Sequence, residues 1–140
     1  MYRRANAGDF DAVYALICEL EEQALDRDKI GEIYAQQLQD RRYCCLLCEL
    51  DGEIVGMLNL RFEEQLHHAG TVAEILEFAV SYHHRSRGIG RELFAEACQI
   101  ARDKGCMLIE AASNQRRLDA HRFYQREGMQ SRSIKFSMSL

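Results

Sequence analysis

Between Tyr82 and Phe94 the chain reads YHHRSRGIGRELF: two histidines, arginines on either side of a serine, and two glycines one residue apart ahead of a run with helical spacing. Glycines between a strand and a helix let backbone approach a ligand closely, and the unpaired N–H groups of a helix's first turn bind anionic oxygens. The stretch therefore has the makings of a phosphate seat, with an ordinary solvated basic turn as the competing reading. Just upstream, Glu74 and Glu77 interrupt the apolar pattern EILEFAV, where a carboxylate is costly unless it is paired, solvated or used. Partial burial lifts such a carboxyl toward working pH, as a general base requires. Glu77 is the first choice for that role; the alternative is a strand carboxylate facing solvent or paired with an arginine. Histidine pairs flank the same strand, His67-His68 before it and His83-His84 after it. Neighbours on an extended chain point to opposite sides, so at most one of each pair can ligate a common metal. A divalent metal is left open and not favoured.

The elements that must hold these residues are readable from periodicity. Phe10, Val13, Tyr14, Ile17 and Leu20 make one face of a helix over Asp9–Glu22, and Ile30, Ile33, Tyr34 and Leu38 a shorter one over Asp28–Leu38. YCCLLCEL, then Asp51-Gly52, then Ile54–Phe62 spells a hairpin with a tight turn. Glu63–Gly70 reads as a loop, Thr71–Val80 as a long strand, and Leu93, Phe94, Ala97, Ile100 and Ala101 as a helix closed by Gly105. A buried strand over Cys106–Ala112, a helix over Arg117–Glu127 and an alternating final strand over Ser131–Met138 complete the series. The order predicts an α/β fold: a single mixed, largely antiparallel sheet of six to seven strands flanked by about four helices.

At 140 residues the chain is expected to form one domain, residues 1–140, with a sizeable core. A net charge of −4 gives no global pull toward nucleic acid or anionic lipid, so the expected partner is a small molecule. No apolar run approaches a membrane span and no secretory leader pattern opens the chain, so a cytoplasmic location is expected. The six cysteines sit mostly among apolar residues and read as buried thiols; Cys45 and Cys48 have C-x-x-C spacing, but within a strand pattern.

Two familiar phosphate loops fail on particular residues. G-x-G-x-x-G would need a third glycine where Leu93 stands, even though Glu110 lies at a ribose-binding distance, and no Gly-Lys-Ser/Thr ends the loop. What fits is V-x-x-x-x-R-x-x-G-x-G, written by Val80, Arg85, Gly88 and Gly90. This pattern resembles the coenzyme A pyrophosphate loop of the GCN5-related N-acetyltransferase (GNAT) superfamily, and the order of elements matches along the chain. DAVYALICEL, LHH, E-I-x-E ahead of Val80 and DAHRFYQREG look, more narrowly, like the bacterial aminoalkylphosphonate N-acetyltransferases.

The resemblance implies acetyl transfer from acetyl-CoA to a primary amine on a small molecule, an aminoalkylphosphonate being favoured. It implies that Arg85, Ser86, Arg87, Gly88, Ile89, Gly90 and Arg91 clamp the pyrophosphate. It also implies that Phe78, Ala79 and Val80 lie at a strand bulge facing the thioester, and that Asn114 meets the pantetheine arm. Tyr124, beside the donor, protonates the departing thiolate, and Glu77 deprotonates the amine directly or through water. Arg61 with His67 or His68, and Glu74, are the residues expected to meet the acceptor. A protein or peptide acceptor, or a silent acyl-CoA-binding module, are the alternatives. Exposed strand edges and the habit of the superfamily point to a homodimer.

Overall fold

The computed structural model describes residues 1–140. Its elements are β1 (Tyr2–Arg4), α1 (Phe10–Glu21), α2 (Arg27–Leu38), β2 (Tyr43–Leu50), β3 (Glu53–Gln65), β4 (Gly70–Val80), α3 (Ile89–Asp103), β5 (Leu108–Ala111) and α4 (Leu118–Arg126). The chain divides into a unit of residues 1–110 and a smaller one of residues 111–140. No helix is long and apolar enough to cross a membrane.

The larger unit is built on one sheet, ordered β1-β2-β3-β4-β5 with the first three pairings antiparallel. Asp51 and Gly52 both take positive φ, +51° and +79°, which is the turn a two-residue hairpin needs to match strand twist. α3 then carries the chain back to lay β5 beside β4, where Met107 N–H donates to Thr71 O at 2.9 Å. On one face, Val13 and Leu16 of α1 pack on Leu47, Met57 and Ala79. On the other, α3 buries Ile89, Leu93, Phe94, Ala97 and Ala101. Gly56 lets that helix come close: a Cβ there would stand 3.0 Å from Leu93 Cδ1 and 3.2 Å from Ile89 Cγ2.

The first turns are fastened electrostatically. Asp9 accepts Asn6 N–H at 2.8 Å, while Asn6 Oδ1 accepts Gly8 N–H, so the 3-10 turn Ala7–Asp9 that leads into α1 is capped reciprocally. Arg3 grips both Asp9 oxygens, at 2.8 and 2.9 Å, and Glu49 at 2.8 Å, tying β1 and β2 to α1.

Two expectations are corrected. Glu63–Gln65 are strand, because the β3–β4 ladder runs on to Gln65↔Gly70 and leaves only a tight turn at Leu66–His68. In the smaller unit, Ser131–Met138 form no strand, so the sheet has five strands, not six to seven. The apolar alternation is present, but Ile134, Phe136 and Met138 are 72%, 90% and 81% exposed. A segment that buries no face and finds no ladder has nothing to offset the entropy of ordering it.

Candidate active site

Glu77 sits opposite Asn59 on β3, and the next ladder pairs are Leu60↔Ile75 and Arg61↔Glu74, so Leu76 is skipped. This bulge resets the alternation of β4. Glu74 and Glu77, three residues apart and on opposite faces of a regular strand, now share one face with Asn59 and Arg61. The bulge falls ahead of Phe78–Val80, which pair regularly with Leu58, Met57 and Gly56.

A cavity of about 390 Å³ opens on that face, walled by apolar side chains including Ile17, Leu25, Ile30, Tyr34 and Met57. Its polar lining includes the strip Gln37, Asn59 and Glu77, together with Glu21 and Arg4. Asn59 Nδ2 donates to Glu77 Oε1 at 2.8 Å and to Gln37 Oε1 at 3.0 Å; the ionised Glu77 carboxylate, which can only accept, sets the amide this way round. Burial pushes the Glu77 carboxyl above its ordinary range, the Asn59 hydrogen bond pulls it partly back, and the charge of Glu21 adds to the rise. A carboxyl raised in this way is a stronger proton acceptor, once ionised, than one in water. Cys45 lines the same cavity, but burial raises its thiol to about 12. It stays a neutral, poorly nucleophilic thiol.

β4 leads from Glu77 through Phe78, Ala79 and Val80 into the glycine turn. Ser81 N–H donates to Val55 O at 2.7 Å, and Tyr82 N–H to Glu19 Oε1 of α1 at 2.6 Å, which fixes where the turn begins. Arg85 donates to Val80 O at 3.3 Å, and its guanidinium lies 5.6 Å from the Tyr82 ring centre. Ser86 and Gly88 both have positive φ, +63° and +82°, and Gly88 caps α3 without any side-chain acceptor. The first helical bond is Glu92 N–H to Gly88 O at 3.1 Å. The N–H groups of Ile89, Gly90 and Arg91 precede that bond, and they carry the positive end of the helix dipole. Arg85, Arg87 and Arg91 are exposed around them.

Tyr124 and Asn114 belong to the smaller unit. Tyr124 lies on α4 and packs edge to face with Phe123, ring centres 5.7 Å apart; burial raises its phenol above the ordinary value. Asn114 Oδ1 accepts Arg116 N–H at 2.9 Å, so one end of its amide serves the turn.

The residues expected to meet the acceptor separate into two groups. Arg61 and Glu74 lie one row along the cavity face from Asn59 and Glu77, joined by a 2.6 Å ion pair. His67 and His68 stand in the turn at the far tip of the β3–β4 hairpin, six ladder residues beyond Asn59, roughly 20 Å away. His68 Nδ1 is there within 2.6 Å of Gln65 Oε1. No three His, Cys, Asp or Glu side chains converge. Sequence reasoning passed over Gln37 and Asn59. Asn59 had a signal, since it breaks the apolar run GMLNLRF as Glu77 breaks EILEFAV; Gln37, on a polar helix, had none.

The sequence profile of the acetyltransferase (GNAT) family matches residues 10–129. An aminoalkylphosphonate N-acetyltransferase of Salmonella typhimurium (strain LT2) is 41% identical over 138 residues, spanning 99% of this chain and 90% of the relative. Among solved structures, a transcriptional regulator from Bacillus halodurans C-125 superposes with a TM-score of 0.92 at 23% identity, covering 100% of this chain and 99% of that one. An aminoglycoside acetyltransferase, meta-AAC0020, from an uncultured soil metagenomic sample superposes at 0.84 with 21% identity, covering 100% and 95%. These two structures speak to the fold alone.

Proposed function

Because the chain belongs to the acetyltransferase (GNAT) family, and is accordingly an acetyl-CoA-dependent N-acetyltransferase, we propose that its acceptor is the primary amine of a small aminoalkylphosphonate. We assign Glu77 as general base and Tyr124 as general acid, within one acetyltransferase domain spanning the chain. The carrying observation is Glu77 itself: a carboxyl raised by burial, held by Asn59 at a cavity wall, on the strand that ends in the anion-binding turn. Val80 is three residues further on, about 10 Å along the strand, so donor seat and base share one rigid element.

In this reading acetyl-CoA is the first substrate. Its pyrophosphate takes the N–H groups from Ser86 to Arg91 and the guanidinium groups of Arg85 and Arg87. The backbone of Phe78, Ala79 and Val80 lies along the thioester, and Asn114 reaches the pantetheine arm with the amide nitrogen its turn leaves over. The acceptor's ammonium gives a proton to Glu77, directly or through one water. The free amine attacks the thioester carbonyl, the C–S bond breaks, and the thiolate takes a proton from Tyr124. The chain that is 41% identical to this one bears the name of an aminoalkylphosphonate N-acetyltransferase, which supports the acceptor.

Thiol release from acetyl-CoA over a panel of aminophosphonates, aminoglycosides, alkylamines and peptides tests the acceptor. The expected result is highest kcat/KM for an aminophosphonate. Release no greater than without acceptor for that class, together with turnover of another amine, removes the acceptor and keeps the reaction. Running the panel with and without a chelator reads any part played by a divalent ion. We place the enzyme in the cytoplasm as a homodimer, with exposed Ile134, Phe136, Met138 and Leu140 as the surface a second copy would cover. A monomer in sedimentation velocity removes that last point.

A further inference from the structure

We propose that Arg61 and Glu74 form the acid-recognition element of the acceptor site. Arg61 receives the acceptor's anionic group, and Glu74, a positioning residue, holds the guanidinium and limits its pull on negative charge. The inference rests on the acetyl-transfer reading above. It begins from placement. Tyr43 and Asn59 line the cavity, and Arg61 is cross-strand from the first and two residues along β3 from the second, on the same face. The interval between the Asn59 row and the Arg61 row is about 7 Å. An amine and an acid joined by a short alkyl chain fit that interval, with the amine at Glu77.

The bonding of Arg61 is incomplete. Its Nη2 donates to Glu74 Oε2 at 2.6 Å and lies 3.8 Å from Glu63 Oε1. Its Nε is shielded from solvent and has no partner. A desolvated donor without an acceptor is unfavourable, and an arriving oxyanion relieves it if the guanidinium turns by a small angle. Arg61 also borders a second cavity, of about 500 Å³, with Arg41, Arg42 and Lys104. Glu63 and Glu64 stand there too, and Arg42 is engaged by Asp40, yet Arg41 makes no ion pair. The cluster draws anions toward Arg61, its member one same-face row from Asn59 and Glu77.

The test uses the full chain with acetyl-CoA and two acceptors of matched carbon length, 2-aminoethylphosphonate and ethylamine. The readout is the ratio of their kcat/KM values. Arg61→Met is expected to lower the ratio roughly 30-fold, through KM for the phosphonate, since one charge-assisted contact is lost. Arg61→Lys should recover part of it, and Glu74→Gln should raise the ratio roughly 3- to 10-fold by removing a repelling charge. Equal losses for both acceptors in Arg61→Met would mark a structural anchor and overturn the proposal while acetyl transfer stands. If Arg61→Met does not fold, an unchanged ratio in the isosteric Glu74→Gln overturns it instead. Absence of thiol release with every amine tried on the wild type removes the underlying reading as well.

Discussion

Glu77→Gln is expected to lower kcat by roughly 10²- to 10⁴-fold with little change in acetyl-CoA binding, the range over which a positioned general base contributes. Glutamine keeps the size of the side chain and can still meet the Asn59 amide, so the loss isolates the proton acceptor. The pH profile carries a second signature. Burial sets the Glu77 carboxyl above its ordinary range, so the acid limb of kcat/KM should lie above that range and vanish in Glu77→Gln. Asn59 works in the opposite direction, since its hydrogen bond favours the ionised form. Asn59→Ala should therefore move the limb to higher pH. Full turnover by Glu77→Gln would transfer the base role elsewhere, and Tyr124→Phe, assayed beside it, tests the acid separately.

The largest expected effect on stability is at the other end of the chain. Arg3→Met removes the partner of Asp9, whose side chain is only 10% exposed. The cost should be about 2–3 kcal/mol, short of the roughly 3–5 kcal/mol seen when fully buried pairs lose one member, because Arg3 keeps part of its side chain in water. For a domain of this size that lowers Tm by roughly 6–10 °C. The Arg3 guanidinium holds the Asp9 carboxyl below its usual value. A depressed carboxyl contributes stability that is present above its unfolded pKa and lost as pH falls through its folded pKa. In Arg3→Met, burial acts on Asp9 with the guanidinium gone, so ionised Asp9 is penalised most near neutrality and least where it is protonated. Urea melts of the two proteins should converge as pH is lowered from about 7 toward about 3; a gap of constant size would refute the assignment.

The glycine turn and the strand before it were legible because their signals are local. Gly88 is needed for its positive φ, and the residues after it have helical spacing whatever the rest of the chain does. Asp51-Gly52 announced its hairpin for the same reason. What escaped depends on partners distant in sequence. Nothing in EILEFAV says that Leu76 will be skipped by β3, and without the bulge Glu74 and Glu77 appear to face opposite ways. The Gln37–Asn59–Glu77 strip joins three elements, and only packing of α2 on the sheet brings its outer member in. Ser131–Met138 failed in the converse way: alternation is a statement about one face, and a strand also needs a neighbour.

α2 lines much of the cavity, through Ile30, Ile33, Tyr34, Gln37 and Leu38, yet none of its residues is fully buried. A core position resists change because its volume is fixed by what surrounds it, whereas α2 forms a wall whose outer side is water. Substitution of the half-exposed Ile33 should cost little folding free energy, whereas Tyr34 packs on the core and donates to Asn6 O, and Gln37 is joined through Asn59 to Glu77 of β4. In the reading proposed above, the acceptor is then bounded on one side by a helical wall open to change at positions such as Ile33, and on the other by the Arg61 and Asn59 rows of a sheet that is not.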